Sequence, residues 1–360
     1  MRADAGSPAP AACRRLHPGL LVHAAPIGGS RRLIAQADAG RQPLALNHPA
    51  ALTALSALPS EFDRREAAGA WADAGVPADA HTQLWEAFES AGLLVDAERD
   101  AGKWWTELGW AEARTYHLST RDYPFLQMDE PGAFARDGER MECYRAVAPS
   151  PSPYQRVGDS TIELPGLGEG QSADEHLAQL DADDRLGLPG LGLLLDVCFG
   201  ERGRLLAAGG ATCLLKSIPS GGGRHPTEIF VAAFDLPGLP AGIYHYEVEH
   251  HRLGLVAEGD RGTEFAGATF DLFDKHPQRP AAALLFTSLV ERAMWRYRDP
   301  RSFRAILADV GHAVAAYRTV ARMIGFRTYA LQKMRDREVA ALLGVDPLVQ
   351  PPLYAGTLVR

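Results

Sequence analysis

The chain has 360 residues, 46% of them hydrophobic, so it is long enough for one large or two medium domains with a substantial core. Its formal net charge of −8 at pH 7 disfavours general binding to nucleic acid or to an anionic membrane surface. The cysteines lie far apart and form no CxxC pair, which argues against a zinc ribbon or a disulfide scaffold. Pro189 and Asp196 interrupt the longest apolar run, so no membrane span is predicted. We expect a soluble, cytoplasmic protein.

The first hundred residues predict a loose tail followed by a small folded module. Residues 1–30 are rich in Ala, Pro and Gly and are predicted to be a flexible tail. In residues 31–100, two short strands around Asp38-Ala39-Gly40 precede helices, the first capped by Asn47, and Gly92 ends the last helix before a strand. These elements are typical of a winged-helix-like module, which binds DNA in some proteins and peptides in others. The acidic surroundings of Arg64 and Arg65 favour peptide recognition.

Residues 101–160 predict a linker between two domains. The segment is aromatic-rich at first and then polar and proline-rich. Trp104, Trp105 and Trp110 are expected to dock on the domain that follows or simply to pack locally.

Residues 161–360 predict a second domain of strands and helices. TEIFVAAFDLPGLPAGIYHYEVEHHRLGLV reads as successive strands joined by the PGLPAG turn, and AAALLFTSLV is a further strand. SFRAILADVGHAVAAYRTVARMIGF predicts a long helix with a continuous apolar stripe, beginning at a Ser302 cap and ending at Gly325. Such a stripe suits burial against a sheet or a second subunit.

The segment HYEVEHH places His245, Glu247 and Glu249 on one face of a strand. A metal site there is conceivable, but this pattern is more often the solvated face of a hairpin, and no metal site is predicted.

Five segments of the second domain occur together in a fixed order. They are PSGGGRHPTE (219–228), GLPAGIYHYEVEHHRL (238–253), WRYRDPRSFRAILADVGH (295–312), VARMIGF (320–326) and the ending PLYAGTLVR. Together they resemble the SagB-type dehydrogenases of the nitroreductase superfamily, in particular the branch of peptide-maturation dehydrogenases. The resemblance implies an α/β (α+β) fold with a mixed sheet flanked by helices, assembled as a homodimer with FMN at the subunit interface. Relatives often carry an N-terminal module similar to those that bind the leader of a precursor peptide.

The resemblance also implies site residues. A loop that touches a flat, polar cofactor brings its backbone N–H groups close only where no Cβ intervenes, which glycine allows. Ser220, Gly221 and Gly222 are therefore the first predicted contacts of the flavin. The further candidates to hold FMN are Arg185, Gly325, Arg327 and Arg360. The candidate substrate contacts are His225, which could instead shape the loop, and Tyr244.

Two positions depart from the family pattern. Relatives hold the FMN phosphate with an Arg-Arg-Ser/Thr-x-x-Arg segment, whereas this chain has DADDR, which leaves Arg185 as the remaining cation. Three carboxylates beside a phosphate would repel it, which argues against tight FMN binding. Azoline-oxidising relatives have Lys-Tyr where this chain has Arg296-Tyr297. Because arginine stays protonated, Tyr297 is the predicted acid–base, while Arg296 orients the substrate or forms a surface salt bridge.

The sequence leaves three functions open. The preferred one is an FMN-dependent oxidoreductase that converts azolines to azoles in a ribosomally synthesised precursor peptide, with a cyclodehydratase or other maturation enzyme as a further partner. The same flavin chemistry in the opposite direction would reduce a dehydroamino acid. The third is a degenerate, non-catalytic scaffold or partner subunit of a peptide-maturation complex, which the acidic DADDR segment and Arg296 favour.

Overall fold

The chain divides into two compact units, Met1–Gln127 and Met128–Arg360. The computed structural model describes residues 13–27, 30–37, 41–97, 102, 104–168, 170–206, 212–270 and 278–360. The division falls inside the segment that the sequence predicted as a linker.

The first unit combines short antiparallel strands with helices. Its strands are β1 Arg14–Leu16, β2 Leu21–Ile27, β3 Ser30–Gln36, β4 Leu44–Ala45 and β5 Leu94–Asp96. Its helices are α1 Pro49–Ala57, α2 Arg64–Asp73, α3 His81–Ser90, α4 Trp104–Glu107 and α5 Ala111–Thr120. β2, β3 and β4 form one sheet, and β1 pairs with β5. Phe62, Trp71 and Phe88 are fully buried where α1, α2 and α3 meet.

Two local predictions differ from the structure of this unit. β1 and β2 lie within the residues predicted as a tail, because both strands find antiparallel partners farther along the chain. The cap of α1 is His48 rather than Asn47, since His48 Nδ1 accepts a hydrogen bond from the Ala50 N–H at 3.1 Å. Pro49 occupies the first turn, where its missing N–H costs nothing. The predicted turn at 38–40 lies outside the described residues.

The second unit contains a large sheet, a separate two-stranded ribbon and flanking helices. Its strands are β6 Thr161–Glu163, β7 Glu201–Leu206, β8 Thr212–Lys216, β9 Thr227–Ala233, β10 Gly242–Glu247, β11 Arg252–Glu258, β12 Ala282–Ser288, β13 Ala330–Leu331 and β14 Pro352–Leu358. Its helices are α6 Ala133–Val147, α7 Ala173–Gln179, α8 Ala182–Arg185, α9 Leu188–Phe199, α10 Gly262–Ala268, α11 Val290–Arg296, α12 Ser302–Ile324 and α13 Asp336–Leu343. The ribbon is β7 paired with β8.

The large sheet has the strand order β13-β14-β12-β9-β10-β11-β6. All the pairings among its described strands are antiparallel, whereas the resemblance implied a mixed sheet. α9 and α12 pack on one face, and α10 and α13 pack on the other. Because helices cover both faces, β9 and β12 are buried along their whole length, and the apolar runs IFVAA and AALLF make up most of the two strands.

α12 is the long helix that the sequence predicted. Val310, Tyr317 and Ile324 are buried against the sheet, and the Tyr317 hydroxyl donates to the Thr357 carbonyl. Phe303 and Leu307, which belong to the predicted stripe, are 42% and 48% exposed, so the stripe is wider than the face buried in one chain. None of the helices in the described part of the chain is long and apolar enough to cross a membrane.

The ends of α12 differ in their agreement with prediction. Ser302 does not cap the helix, since its hydroxyl donates to Asp299 Oδ2 at 3.0 Å while its N–H donates to Asp299 Oδ1. Gly325 ends the helix as predicted, with a φ of 124° that favours glycine.

About half of the segment 101–160 is helical, with α4 and α5 in the first unit and α6 in the second. Trp104 and Trp110 are exposed, and Trp105 stacks on His117. In the second unit, Tyr144 of α6 contacts the ring of Trp295. The sequence predicted a linker here because its pattern is irregular and polar. The structure instead has local helices in much of this segment.

Candidate functional site

The glycine-rich loop connects β8 to β9 and turns sharply at Gly221–Gly223. Gly222 and Gly223 have φ values of 61° and 64°, in the left-handed region where side chains are strained. A Cβ on Gly222 would lie 1.8 Å from the Tyr297 hydroxyl oxygen. Only glycine therefore permits the observed approach of Tyr297 to the loop backbone.

Asp309 of α12 holds this loop. The Ser220 hydroxyl donates to Asp309 Oδ2 at 2.6 Å, and the Gly221 N–H donates to Asp309 Oδ1 at 3.1 Å. The His225 N–H donates in turn to the Ser220 hydroxyl at 2.8 Å. Burial raises the pKa of Asp309, and the hydrogen bonds from the loop oppose that rise. The loop donors that the sequence predicted for a cofactor are thus engaged by a carboxylate of the same chain.

Tyr297 and Arg296 lie at the end of α11 and have different surroundings. The Tyr297 side chain is half-buried against Gly222. Arg296 donates to both carboxylate oxygens of Asp137, on α6, at 2.9 Å, and its guanidinium lies 5.1 Å from the centre of the Tyr297 ring. Arg296 therefore connects α11 to α6 and places its guanidinium against the ring of Tyr297.

A buried charge network lies beneath the loop. Arg292 donates to Glu228 Oε1 and to the His225 carbonyl, and the other oxygen of Glu228 is 2.9 Å from His245 Nε2. Burial would by itself raise the pKa of Glu228, but Arg292 and His245 outweigh it and lower that pKa to about 2. The network fixes the turn at His225, whose φ is 43°.

A small cavity of about 10 Å³ separates this network from the loop. Its lining includes Lys216, Ser220, His225, Glu228 and Asp309. Burial lowers the pKa of Lys216 to about 8 and that of His225 to about 4, with the Lys216 charge adding to the shift of His225. The cavity has room for about one water molecule and joins groups with strongly shifted pKa values, which is common at functional sites.

A second group of predicted residues lies at the other end of α12. Arg327 exchanges backbone hydrogen bonds with Val359 at 2.9 Å, and its guanidinium donates to the Arg360 carbonyl at 3.0 Å. A Cβ on Gly325 would contact the side chain of Leu186, the residue after Arg185. The structure thus gathers Gly325, Arg327 and Arg360, with the chain around Arg185 beside them.

The acidic DADDR segment is a helix start. Asp181 caps α8, accepting the N–H groups of Asp183 and Asp184 at 2.9 and 2.8 Å. Acidic side chains are favourable in this position because the first turn of a helix carries partial positive charge. The Arg185 Nε donates to the Leu180 carbonyl at 3.1 Å, which ties that arginine to the same turn.

The two groups are well separated within one chain. Asp309, which holds the loop, and Gly325 are sixteen residues apart on α12, or about 24 Å at 1.5 Å per residue. The structure brings Ser220, Gly221, Gly222 and Tyr297 together, and it places the C-terminal arginines elsewhere.

The remaining candidates on β10 and its turn are buried or paired. The Tyr244 hydroxyl donates to the Pro240 carbonyl at 2.9 Å in the core, and the His225 side chain is also buried. The expectation of a solvated face was wrong for His245 and Glu247, which are both buried, because helices cover both faces of the sheet. Glu247 accepts from Arg252 at 2.7 Å. In the described residues, no group of three or more His, Cys, Asp or Glu could hold a metal.

Sequence reasoning missed Asp309, Glu228, Arg292 and Lys216. The available signal was a carboxylate on the buried side of an apolar helix, since Asp309 directly precedes Val310 in the stripe. Glu228 and Arg292 are separated by 64 positions, so their pairing had no local signature.

Comparison with known proteins connects this unit to a family. Residues 199–357 match the model of the Nitroreductase family. The chain is 26% identical over 257 residues to the trifolitoxin-processing protein TfxB of Rhizobium leguminosarum bv. trifolii, covering 68% of this chain and 69% of that protein. It is 29% identical over 140 residues to a Methanocaldococcus jannaschii protein assigned as a nitroreductase, covering 38% of this chain and 69% of that one.

A solved structure shows the same fold. The crystal structure of a protein from Anabaena variabilis assigned as a nitroreductase superposes with a TM-score of 0.50 and 24% identity over 62% of this chain. The aligned region spans 45% of the length of that solved chain. The predicted nitroreductase-like architecture, a sheet flanked by helices, is confirmed.

Proposed function

We propose that the protein is an FMN-dependent oxidoreductase of the SagB-type, peptide-maturation branch and converts azolines to azoles in a ribosomally synthesised peptide. The observation that carries the proposal is the approach of Tyr297 to the Gly222 backbone inside the region that matches the Nitroreductase family. The similarity to a trifolitoxin-processing protein over 68% of the chain supports a peptide substrate.

The residues present fit a flavin in two respects. The backbone at Gly222 carries no side chain and admits the close approach of the Tyr297 hydroxyl, beside which a flavin ring would lie. The Arg327 guanidinium donates to the Arg360 backbone carbonyl and to Gln278, so the two arginines are neighbours, and guanidinium groups are suited to a phosphate. Ser220, Gly221 and Gly222 would hold the ring, and Arg185, Gly325, Arg327 and Arg360 the phosphate end.

The separation of these sets supports a homodimer. Because Asp309, which holds the loop, and Gly325, near the C-terminal arginines, are about 24 Å apart along α12, one cofactor would draw on the loop of one subunit and the arginines of the other. The exposed apolar side chains of Phe303 and Leu307 on α12 provide surface for such an interface.

Bound FMN would supply the acceptor for the hydride that leaves the azoline ring. The proton that leaves with it requires a base, and Arg296 cannot serve because it stays protonated and is paired with Asp137. Lys216, with a pKa of about 8 and a place in the cavity beside Ser220, is the amine that this chain offers instead. Tyr297 would orient the ring against the loop.

Peptide recruitment is assigned to the first unit. That unit offers two concave surfaces of about 540 and 570 Å³, a size that accommodates a short peptide segment. A precursor peptide held there would present its modified residues to the second unit, with a cyclodehydratase or another maturation enzyme supplying the azoline.

A second candidate is a non-catalytic partner subunit. It is favoured by Asp309, whose carboxylate occupies the donors of Ser220 and Gly221 that a cofactor would use. In that case the loop is an internal structural contact and the chain presents the precursor to other enzymes.

The experiment that separates these candidates is the visible absorption spectrum of the purified chain, with FMN titrated into any colourless preparation. A yellow protein that releases stoichiometric FMN supports the oxidoreductase. A colourless protein that leaves added FMN free supports the partner subunit. For a yellow protein, mass spectrometry of an azoline peptide should show the loss of two hydrogen atoms, whereas a gain of two on a dehydroamino-acid peptide would indicate a reductase.

The role of Lys216 is tested by the pH profile of the same reaction. Because a base acts in its neutral form, the rate of azoline oxidation should rise with pH and level off above a pH of about 8. Lys216→Met should remove this rise. Lys216→Arg keeps the positive charge but stays protonated, so it is the matched control that separates loss of the charge from loss of the base. An unchanged profile in Lys216→Met would exclude the role.

A further inference from the structure

Two opposite charges face each other across the β7–β8 ribbon without forming a pair. Glu201 of β7 lies directly opposite Lys216 of β8 in the antiparallel register. Side chains in such positions lie on one face with Cβ atoms about 5 Å apart, where opposite charges attract each other. Among the described residues, however, none forms a hydrogen bond or an ion pair with Lys216 Nζ. The reason lies in the surroundings of the two side chains.

Glu201 is held by donors other than the lysine opposite it. The Tyr154 hydroxyl donates to Glu201 Oε2 at 2.5 Å, and the Arg204 guanidinium donates to Oε1. The same guanidinium lies 5.5 Å from the centre of the Tyr154 ring, so the three side chains form one cluster. Burial would by itself raise the pKa of Glu201, but the hydrogen bonds from Arg204 and Tyr154 outweigh it and lower that pKa. Glu201 therefore stays ionised, with both oxygens engaged.

Tyr154 is fixed by the proline-rich segment in which it lies. Its N–H donates to the Ser152 hydroxyl at 3.1 Å, and the Ser152 carbonyl accepts from Arg292 Nε at 2.9 Å. On the other side, the side-chain amides of Gln155 and Gln350 donate to each other at 2.9 and 3.0 Å. The hydroxyl of Tyr154 is thus presented to the ribbon by a segment that is anchored on both sides.

The other carboxylate near Lys216 is also engaged. Glu228 is paired with Arg292 and lies 2.9 Å from His245 Nε2. Burial lowers the pKa of Lys216 to about 8, an effect that Glu228 and Glu201 oppose and Arg292 strengthens. The charged and titratable groups around the amine are Glu201 of β7, His225 of the loop, Glu228 of β9, Arg292 of α11 and Asp309 of α12. Lys216 thus lies near two carboxylates that are both paired with other donors.

We propose that Tyr154 and Arg204 are positioning residues, which hold the Glu201 carboxylate away from Lys216 and so keep the amine able to give up its proton near neutral pH. The inference rests on the proposed function for the use of that amine, which is to accept the proton that leaves the azoline ring. Without the Tyr154 hydroxyl, Glu201 would turn toward the lysine opposite it, and the ion pair would hold the amine in its charged form, which cannot accept a proton. Tyr154 therefore acts through Glu201 and Lys216 rather than on the reacting atoms.

The test measures the titration of Lys216 in the full chain by NMR. The chain has four lysines, so labelling with ¹³Cε-lysine gives few signals, and the Lys216 signal is the one that is lost in Lys216→Met. The variants are Tyr154→Phe, Glu201→Gln and Tyr154→Phe/Glu201→Gln. Tyr317→Phe is the matched control, because it removes a hydroxyl that donates to the Thr357 carbonyl instead of to Glu201.

In the unchanged protein, the midpoint of the Lys216 titration is expected near pH 8. Tyr154→Phe should move this midpoint upward by about 1 pH unit, which means a roughly tenfold lower ratio of neutral to charged amine at a given pH. In the Glu201→Gln background the same change should have no such effect, because no carboxylate then remains to pair with the lysine. Tyr317→Phe should leave the midpoint in place. Tyr154 itself stays protonated during the titration, because burial and its bond to Glu201 raise its pKa to about 12.

Arg204→Gln provides a second variant. It releases the other oxygen of Glu201, so it should also move the Lys216 midpoint upward, and again only where Glu201 is present. Arg204 is exposed, so its replacement leaves the fold intact. Circular dichroism establishes that all the variants are folded.

Three results would overturn the proposal. They are a Lys216 midpoint near pH 10.5 in the unchanged protein, which is the ordinary value for lysine, no upward shift in Tyr154→Phe, and an equal shift in the Glu201→Gln background. These measurements need no bound flavin. A chain that ignores FMN yet shows the shift would uphold the role of Tyr154 and exclude the oxidoreductase. A chain that oxidises azolines while Tyr154→Phe leaves the midpoint in place would do the reverse.

Discussion

Arginines of both units pair with carboxylates, but the pairs differ in burial. In the second unit, Arg292 and Arg296 each face a carboxylate that is itself buried, Glu228 and Asp137. In the first unit, Arg14 pairs with Glu89 and Asp96, and Arg121 pairs with Asp122, and the side chains of these carboxylates are exposed. A desolvated charge must be matched within the protein, whereas an exposed one is screened by water. The same residue type therefore stabilises the fold strongly where its pair is buried and weakly where its pair is exposed.

The largest effect is expected from breaking the buried pair of Arg292 and Glu228. Glu228→Gln should lower the free energy of unfolding by about 3–5 kcal/mol, because it leaves the Arg292 charge buried without its carboxylate. Chemical denaturation at pH 7 measures this. The double variant Glu228→Gln/Arg292→Met should lose less than the sum of the two single variants, and strict additivity would contradict the pairing.

Acid should weaken the same network, at a cost of a few kcal/mol. The folded-state pKa of His225 is about 4 against an ordinary 6.5, and that of Glu228 is about 2 against 4.5. As the pH falls, the unfolded chain therefore binds protons before the folded chain does, first at the histidine and then at the glutamate. Stability should decrease between pH 6.5 and 4 and again below 4.5. Denaturation curves at pH 7, 5 and 3 check this, and Glu228→Gln should flatten the lower part.

The loop that the network supports can be probed through Gly222. Gly222→Ala should lower stability by about 1–3 kcal/mol, because it adds strain at a φ of 61° and places a Cβ against the Tyr297 hydroxyl. In a Tyr297→Phe background, part of this loss should be recovered. Gly223→Ala, with a similar φ but its nearest atom 3.7 Å away, is the matched control for strain alone. Equal losses at both glycines would argue against the contact with Tyr297.

Arg296 offers a pair of intermediate burial. Arg296→Gln should lower stability by about 1 kcal/mol, since its side chain is partly exposed and one of its guanidinium nitrogens donates to both oxygens of Asp137. Asp137→Asn should have a similar effect, and a double-mutant cycle measures their coupling. A coupling energy near zero would mean that the pairing with Asp137 does not stabilise the protein. It would favour the other role predicted from the sequence, in which Arg296 orients the substrate.

The smallest effect is expected in the first unit. Arg121→Gln should change the free energy of unfolding by no more than about 0.5 kcal/mol, because this exposed side chain pairs with the exposed Asp122 at 3.5 Å, where water screens the charges. Thermal or urea unfolding checks this beside Arg296→Gln. A loss as large as that of Arg296→Gln would remove the distinction between the two classes of arginine.

The fold was largely predictable where the pattern is local. The strands at 227–233 and 242–247 and the helix ending at Gly325 follow from apolar periodicity and turn residues, and the structure has them. The winged-helix-like grouping depends on the same local signals. The strand at 14–16 was missed because its partner lies at 94–96, whereas the strand at 21–27 pairs with the next strand and was missed although its partner is local.

The site was predictable only in part. The glycines of the loop and Tyr297 were found because a family resemblance marked them, and the structure brings them into contact. Asp309 and the Arg292–Glu228 pair depend on contacts between residues 89 and 64 positions apart, which leave no trace in spacing. The exposure of His245 and Glu247 was predicted wrongly because alternation cannot reveal that a strand is covered on both faces.

The continuity of α12 has a consequence for how this protein can vary. The helix runs unbroken from Ser302 to Ile324, with Asp309 fixing the loop and Tyr317 bonded to the last strand. Inserting a single residue between them would rotate one contact by about 100° relative to the other and lengthen the span by about 1.5 Å. Insertions and deletions should therefore be tolerated in the connecting turns of this unit but not within the helix. The number of residues between Asp309 and Tyr317 is fixed because both contacts must form in the same folded chain.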